Sequence, residues 1–137
     1  MVTVDANIVL PLVVETDNTE MAKQLFARDF HWVSEAFVMI ELSNILATFE
    51  RVGRISRQNA IAALRLGREI IDSNTVEVDH EDVLEVAMRY KITGYDARYI
   101  AVVEQLGTQL ITEDKRLRKA VPRLTISLAE SLESFEK

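Results

Sequence analysis

Residues 94–117, GYDARYIAVVEQLGTQLITEDKRL, read as a helix, a tight turn, a buried strand and the start of a second helix. Ile100, Val103 and Leu106 recur at helical spacing, Gly107 ends the helix, and TQLIT is a short apolar run of the kind a covered strand uses. A helix feeding a strand through so short a turn, with another helix following, is the repeating unit of a parallel sheet. An aspartate stands at each end of the stretch, Asp96 at the helix start and Asp114 just after the strand. Each can be an ordinary N-cap. Each can also belong to a site, because ligands of open α/β sheets bind beyond the carboxyl ends of the strands, where the strand order reverses.

The same alternation extends outward. MVTVD is a first strand ending near Asp5, followed by the apolar run IVLPLVV. DNTEMAKQLFARD carries Met21, Leu25 and Phe26 at helical spacing, and HWV is a brief second strand. Ser34 is placed to cap a long helix running to about Arg51 and stopped by Gly53, and Ser56 to cap SRQNAIAALRLGREIID, the two forming a helical hairpin. NTVEV is a third strand, Asp79 and Asp82 open a helix to about Tyr90, and a helix from Asp96 ends at Gly107. TQLIT is the fourth strand, DKRLRKA a short helix, LTISL a fifth strand, and a terminal helix begins at about Ala129. The expected fold is α/β, a three-layer α/β/α sandwich over a central, mainly parallel sheet of about five strands, with residues 1–137 in a single domain.

Composition narrows the chemistry. With 48% hydrophobic residues, only 4 Gly and 2 Pro in 137 residues, the chain has the material for one sizeable core. It has no cysteine, so disulfides, thiolate nucleophiles and zinc ribbons are excluded, and with only His31 and His80 any metal must be held by oxygen. The opening MVTVDANIVLPLVV lacks a basic leader and carries Asp5 within its apolar run, and no uninterrupted apolar segment spans a bilayer; the expectation is a soluble, cytoplasmic protein. A net charge of −6 argues against a broad basic face for nucleic acid but not against a local basic rim. Arg51, Arg54 and Arg57 make one basic cluster, and Lys115, Arg116, Arg118 and Lys119 make another directly after Asp114. Either can be a solvated face; the second adjoins an acid.

The acids are the informative residues. Asp5 lies between Val4 and Ile8, Val9 and Leu10, where a carboxylate is desolvated and costly unless paired or metal-bound. Glu41 has Phe37, Val38, Asn44 and Ile45 three and four residues away, on or beside the stripe that faces the core; the alternative is a side chain whose head reaches water from the stripe's edge. With Asp96 and Asp114 these make four acids expected at one sheet edge. Such a cluster repels itself and takes up protons unless a divalent cation neutralises it, and carboxylates with water suit Mg²⁺ or Mn²⁺. A site of this kind can activate water against a phosphodiester with no protein nucleophile. The basic residues after Asp114 could then hold substrate phosphates.

VDANIVL, ELSNIL, YDARYIAVVEQLGTQLIT and TEDKRL together resemble, in order and spacing, the successive motifs of PIN domains, in particular the VapC-type ribonuclease toxins of toxin–antitoxin pairs. The resemblance spans nearly the full length. It implies a Mg²⁺- or Mn²⁺-dependent endoribonuclease acting on single-stranded or looped RNA, with Asp5, Glu41, Asp96 and Asp114 as the catalytic, metal-facing quartet. Glu113 stands beside Asp114 as a substitute, while Asn7 and Thr112 match the positions that orient ligands or water by hydrogen bonds. It also implies a homodimer and a cognate antitoxin lying across the active-site groove. The hairpin from about Ser34 to Ile71 is the expected contact, with Phe37, Met39 and Phe49 as candidates or simply as core.

The rival class is a phosphoacceptor signalling domain, also a small α/β sandwich with strand-end acids and Mg²⁺, in which Asp79 would take the phosphate. Against it, the first strand ends in one acid rather than two and no Lys follows LTISL. A phosphatase of the haloacid dehalogenase type would need an Asp where Asn7 stands. A PIN domain that binds RNA without cutting, or processes RNA outside a toxin–antitoxin pair, is the third reading.

Overall fold

The computed structural model describes residues 1–136, the side chains of Asp72 and Glu136 excepted. In chain order it runs β1 (Val2–Val4), α1 (Ala6–Val13), α2 (Thr19–Arg28), β2 (Trp32–Glu35), α3 (Val38–Arg51) and α4 (Arg57–Ile71). A 3-10 turn at Asp72–Asn74 leads to β3 (Thr75–Val76), α5 (His80–Tyr90), α6 (Gly94–Leu106), β4 (Leu110–Ile111), α7 (Lys115–Ala120), β5 (Thr125–Ile126) and α8 (Leu128–Glu136). The strands form one sheet in the order β3-β2-β1-β4-β5, every pairing parallel. Thr3 registers with Val33 on one side and Leu110 on the other, and Val4 with Ile111. The α/β architecture with a five-stranded parallel sheet is therefore the one expected from the alternation of elements.

Burial explains why strands so short are stable. Val4, Trp32, Leu110, Ile8, Val9, Ile100 and Val102 have no exposed surface, so the sheet is covered by apolar side chains from α1 and α6. Trp32 also donates from Nε1 to the Asp29 carbonyl at 2.9 Å and meets the Phe26 ring edge-on at 5.5 Å. The α3–α4 hairpin closes tightly because Gly67 has no side chain: a Cβ there would come within 2.5 Å of Leu42 Cδ2. Gly107 ends α6 at φ 68, a left-handed cap that glycine adopts without steric cost.

The apolar run after Asp5, which carries no period of its own, is the helix α1 with Pro11 inside it. Two sequence expectations need correction. Ser34 is not a helix cap but a β2 residue whose Oγ donates to the Val4 carbonyl at 2.6 Å, and α3 starts only at Val38. The helix expected from Asp96 starts at Gly94, with Thr93 as its cap.

β1 is central, and the chain moves from it to β2 and β3 on one side, then crosses to β4 and β5 on the other. The crevice beyond the carboxyl ends of β1 and β4 is thus the position where an open parallel sheet binds ligands. Among the described residues no helix is long and apolar enough to cross a membrane.

Candidate functional site

Asp5 leaves β1 at this crevice. It occupies the N-cap position of α1 but makes no side-chain cap bond. Its Oδ2 instead accepts a hydrogen bond from Thr112 Oγ1 at the end of β4, 2.5 Å away, so the two strand ends are stitched across the switch point. The residue is only 4% exposed, and its Oδ1 is buried with no hydrogen-bond partner among the described residues. Burial, opposed by the Thr112 bond and reinforced by Glu41 and Asp96, raises its pKa to about 7.

Glu41 lies in the first turn of α3, half-buried, and accepts a hydrogen bond from the hydroxyl of Tyr99, a residue of α6 that is 2% exposed. Its pKa is raised, first by burial and then by Asp96 and Asp114, with the Tyr99 bond acting against the rise. Glu41 in turn helps to raise the pKa of the Tyr99 hydroxyl, whose largest cause is burial, so the phenol remains the donor. Asp96 is raised by burial and by Asp114. The two aspartates of the 94–117 stretch therefore differ. The cap of α6 is Thr93, whose Oγ1 accepts from Asp96 N at 3.0 Å, so the Asp96 carboxylate is not the cap. Asp114 is a cap: its Oδ1 accepts from Arg116 N at 2.9 Å and Leu117 N at 3.1 Å, while its charge is felt by Glu41 and Asp96.

Four separate segments thus bring the acids within electrostatic reach of one another in part: Asp5 feels Glu41 and Asp96, and Glu41 and Asp96 both feel Asp114. None of the four is in an ion pair among the described residues. Uncompensated carboxylates with a bare buried oxygen match the needs of a hard divalent cation. The cage is not preassembled: among the described residues no group of three or more His, Asp or Glu side chains is arranged to hold a metal. The donor types fit the ion.

Of the other sequence candidates, Asn7 is exposed on the first turn of α1 and lines a groove together with Asn18, Glu113 and Asp114. Glu113 is turned to Arg118, 3.3 Å away. Arg118 also donates to the Thr112 carbonyl at 2.7 Å, so it braces the loop carrying Thr112, while Lys115, Arg116 and Lys119 remain exposed. Phe37, Met39 and Phe49 are all partly buried against the core. Asp79 caps α5 next to edge strand β3, two strands from β1.

Two residues close to the acids escaped the sequence reading. Glu35, at the end of β2, is fully buried, accepts from Phe37 N at 2.6 Å and pairs with Arg98 at 3.4 Å. Its signal was a charge in the short strand HWVSE, hidden by the assignment of Ser34 as a cap. Tyr99 carries no local signal of its own; only the tertiary fold brings its hydroxyl on α6 to the Glu41 carboxylate on α3.

A family model described as the PIN domain matches residues 2–121. The chain belongs to the PIN domain family. Ribonuclease VapC3 of Pyrobaculum aerophilum is 29% identical to it over 126 residues, which cover 88% of this chain and 95% of that protein. The crystal structure of PAE2754 from the same organism superimposes with a TM-score of 0.74 at 24% identity, covering 98% of this PIN domain chain and 88% of its own. A toxin–antitoxin complex from Klebsiella pneumoniae contains a chain that matches with a TM-score of 0.63 at 16% identity, over 93% of this chain and 98% of that one. At these identities the solved structures establish the PIN-like fold.

Proposed function

We propose that this PIN domain is a divalent-metal-dependent endoribonuclease and acts as the toxin of a toxin–antitoxin pair. The observation that carries the reading is Asp5, buried at the end of β1 with an Oδ1 that has no hydrogen-bond partner among the described residues, together with the electrostatic influence of Glu41 and Asp96 on it. The likeness to Ribonuclease VapC3 supports RNA as the substrate, and the likeness to a chain of a toxin–antitoxin complex supports a protein inhibitor.

Asp5, Asp96, Glu41 and Asp114 would hold Mg²⁺ or Mn²⁺. When bound, the ion supplies Lewis-acid charge at the phosphodiester and lowers the pKa of water. The protein's own contribution is positional. Thr112 fixes one oxygen of Asp5 and leaves the other free for a ligand, and Tyr99 fixes Glu41. In the metal-free chain burial and mutual repulsion raise the pKa of Asp5, Glu41 and Asp96, so a bound cation would relieve the strain of ionising them. Lys115, Arg116 and Lys119, exposed beyond Asp114, hold the RNA backbone outside the acidic pocket. The chain works as a homodimer, and its antitoxin covers the groove from the side of the α3–α4 hairpin.

Incubation of labelled structured RNA with Mn²⁺ is expected to give cleavage that a chelator stops; cleavage indifferent to the chelator would refute the reading. Two substitutions test the supporting roles. Asp114→Asn keeps a good cap and removes the charge, so thermal stability holds while cleavage falls, whereas Asp114→Ala also costs about 1 kcal/mol of stability. If Asp114→Asn cleaves normally, Asp114 is a cap alone. Tyr99→Phe leaves Glu41 without its donor, and cleavage is expected to drop by about 10- to 100-fold. Because that bond lowers the Glu41 pKa, the acidic limb of the pH–rate profile also moves to higher pH. A lower rate with an unmoved profile would make Tyr99 a packing residue only.

A further inference from the structure

Beside the acids lies an aromatic pair that nothing in the metal site uses. The rings of Phe37 and Tyr95 are stacked, with centroids 5.4 Å apart and planes 15° from parallel. The Arg98 guanidinium stands over the Phe37 ring, 5.5 Å from its centroid, and is held there by the fully buried Glu35. Tyr95, the outer member, is 64% exposed.

The placement joins this pair to the site. Phe37 is the N-cap residue of α3 and precedes Glu41 by one turn, its carbonyl accepting from Glu41 N at 3.0 Å. Tyr95 immediately precedes Asp96 in the first turn of α6. The helix starts that present two of the four acids therefore also present a flat π surface with a cation beside it. Burial does not account for Tyr95, since most of its surface remains in water. Its chain neighbours Gly94 and Asp96 are not aliphatic.

We propose that the Tyr95–Phe37 stack is a base-binding platform. A nucleobase of single-stranded RNA, unpaired next to the scissile phosphate, stacks on the outer face of Tyr95, and Arg98 holds an adjacent phosphate. Stacking on an aromatic face is tolerant of base identity, so the platform selects for unpaired RNA rather than for sequence. This rests on the ribonuclease reading above.

The test is steady-state cleavage, with Mn²⁺, of a mixed-sequence twelve-nucleotide single-stranded RNA and of versions carrying one abasic ribonucleotide at each successive position. For the wild-type chain, one abasic position next to the cut raises KM by about tenfold, the scale of one stacked base. Tyr95→Ala raises KM on the intact RNA to the same extent, leaves kcat within about twofold, and is blind to the abasic position; Tyr95→Phe restores wild-type behaviour. Because Tyr95 is largely exposed, its removal does not threaten the fold. If the wild type cleaves but Tyr95→Ala has an unchanged KM, the platform is wrong and the nuclease reading stands. If Tyr95→Ala keeps its RNA kinetics but no longer binds a protein inhibitor, the face belongs to that protein and the platform is overturned. If the wild type cleaves none of these RNAs nor any structured RNA, the nuclease reading falls and the platform with it.

Discussion

Asp5→Asn is expected to reduce RNA cleavage by at least about a thousandfold, and Asp96→Asn to do the same, with the fold of both variants intact. Asp5 is the acid most completely committed to the crevice: it is buried, tied by one oxygen to Thr112, and bare at the other. Asparagine has the same shape and can still accept from Thr112, but it offers no charge to a cation. Asp96 is the cleaner partner experiment, because Thr93 does the capping of α6 and the substitution removes charge from a helix start that does not depend on it. Circular dichroism and thermal melting check the fold, and a labelled-RNA assay the activity. Cleavage within about tenfold of wild type in either variant would remove that residue from the site.

The second large effect is on stability, and its sign follows from the same burial. The Asp5 carboxyl has a pKa of about 7 in the folded chain against 3.8 as an unperturbed group. Between those values the folded state binds more protons than the unfolded state, so stability falls as pH rises from about 4 to 7 and levels off above. Glu41 and Asp96, raised in the same direction, add to the slope. For Asp5 alone the loss is on the order of 4 kcal/mol at full ionisation. The metal-free wild type should accordingly melt several degrees lower at pH 8 than at pH 5. Asp5→Asn should flatten much of that dependence and melt higher than wild type at pH 8, the variant exchanging function for stability. Divalent cation should raise the wild-type melting temperature at pH 8 and leave that of Asp5→Asn nearly unmoved. A wild type whose melting temperature is independent of pH across this range would show that Asp5 is not held in a desolvated, unpaired state.

Much of this was legible in the sequence because strand–helix alternation and strand-end acids are local signals. Gly107, Asp79 and Asp114 announce helix boundaries by their own chemistry, and all three stand at the helix ends they were expected to mark. What was not legible were positions decided by tertiary partners. The apolar run 8–13 of α1 shows no helical period. Ser34 looks like a cap in isolation and becomes a strand residue only because Val4 of β1 offers its carbonyl. The four acids could be nominated from their neighbours in sequence, but the Thr112–Asp5 and Tyr99–Glu41 bonds join residues separated by 107 and 58 positions, which no local pattern encodes. Glu113 and Asp114 likewise differ only in their tertiary partners: Arg118 holds Glu113, while the charge of Asp114 reaches Glu41 and Asp96.

The most direct measurement is the rate of cleavage of a labelled structured RNA by chelator-stripped protein as a function of free Mn²⁺ concentration, run in parallel on wild type and Asp5→Asn. The expected result is no cleavage without the ion, a saturable rise for wild type, and a flat baseline for Asp5→Asn. Cleavage without the ion, or an equal rise in both proteins, would contradict a metal-dependent nuclease site built on Asp5.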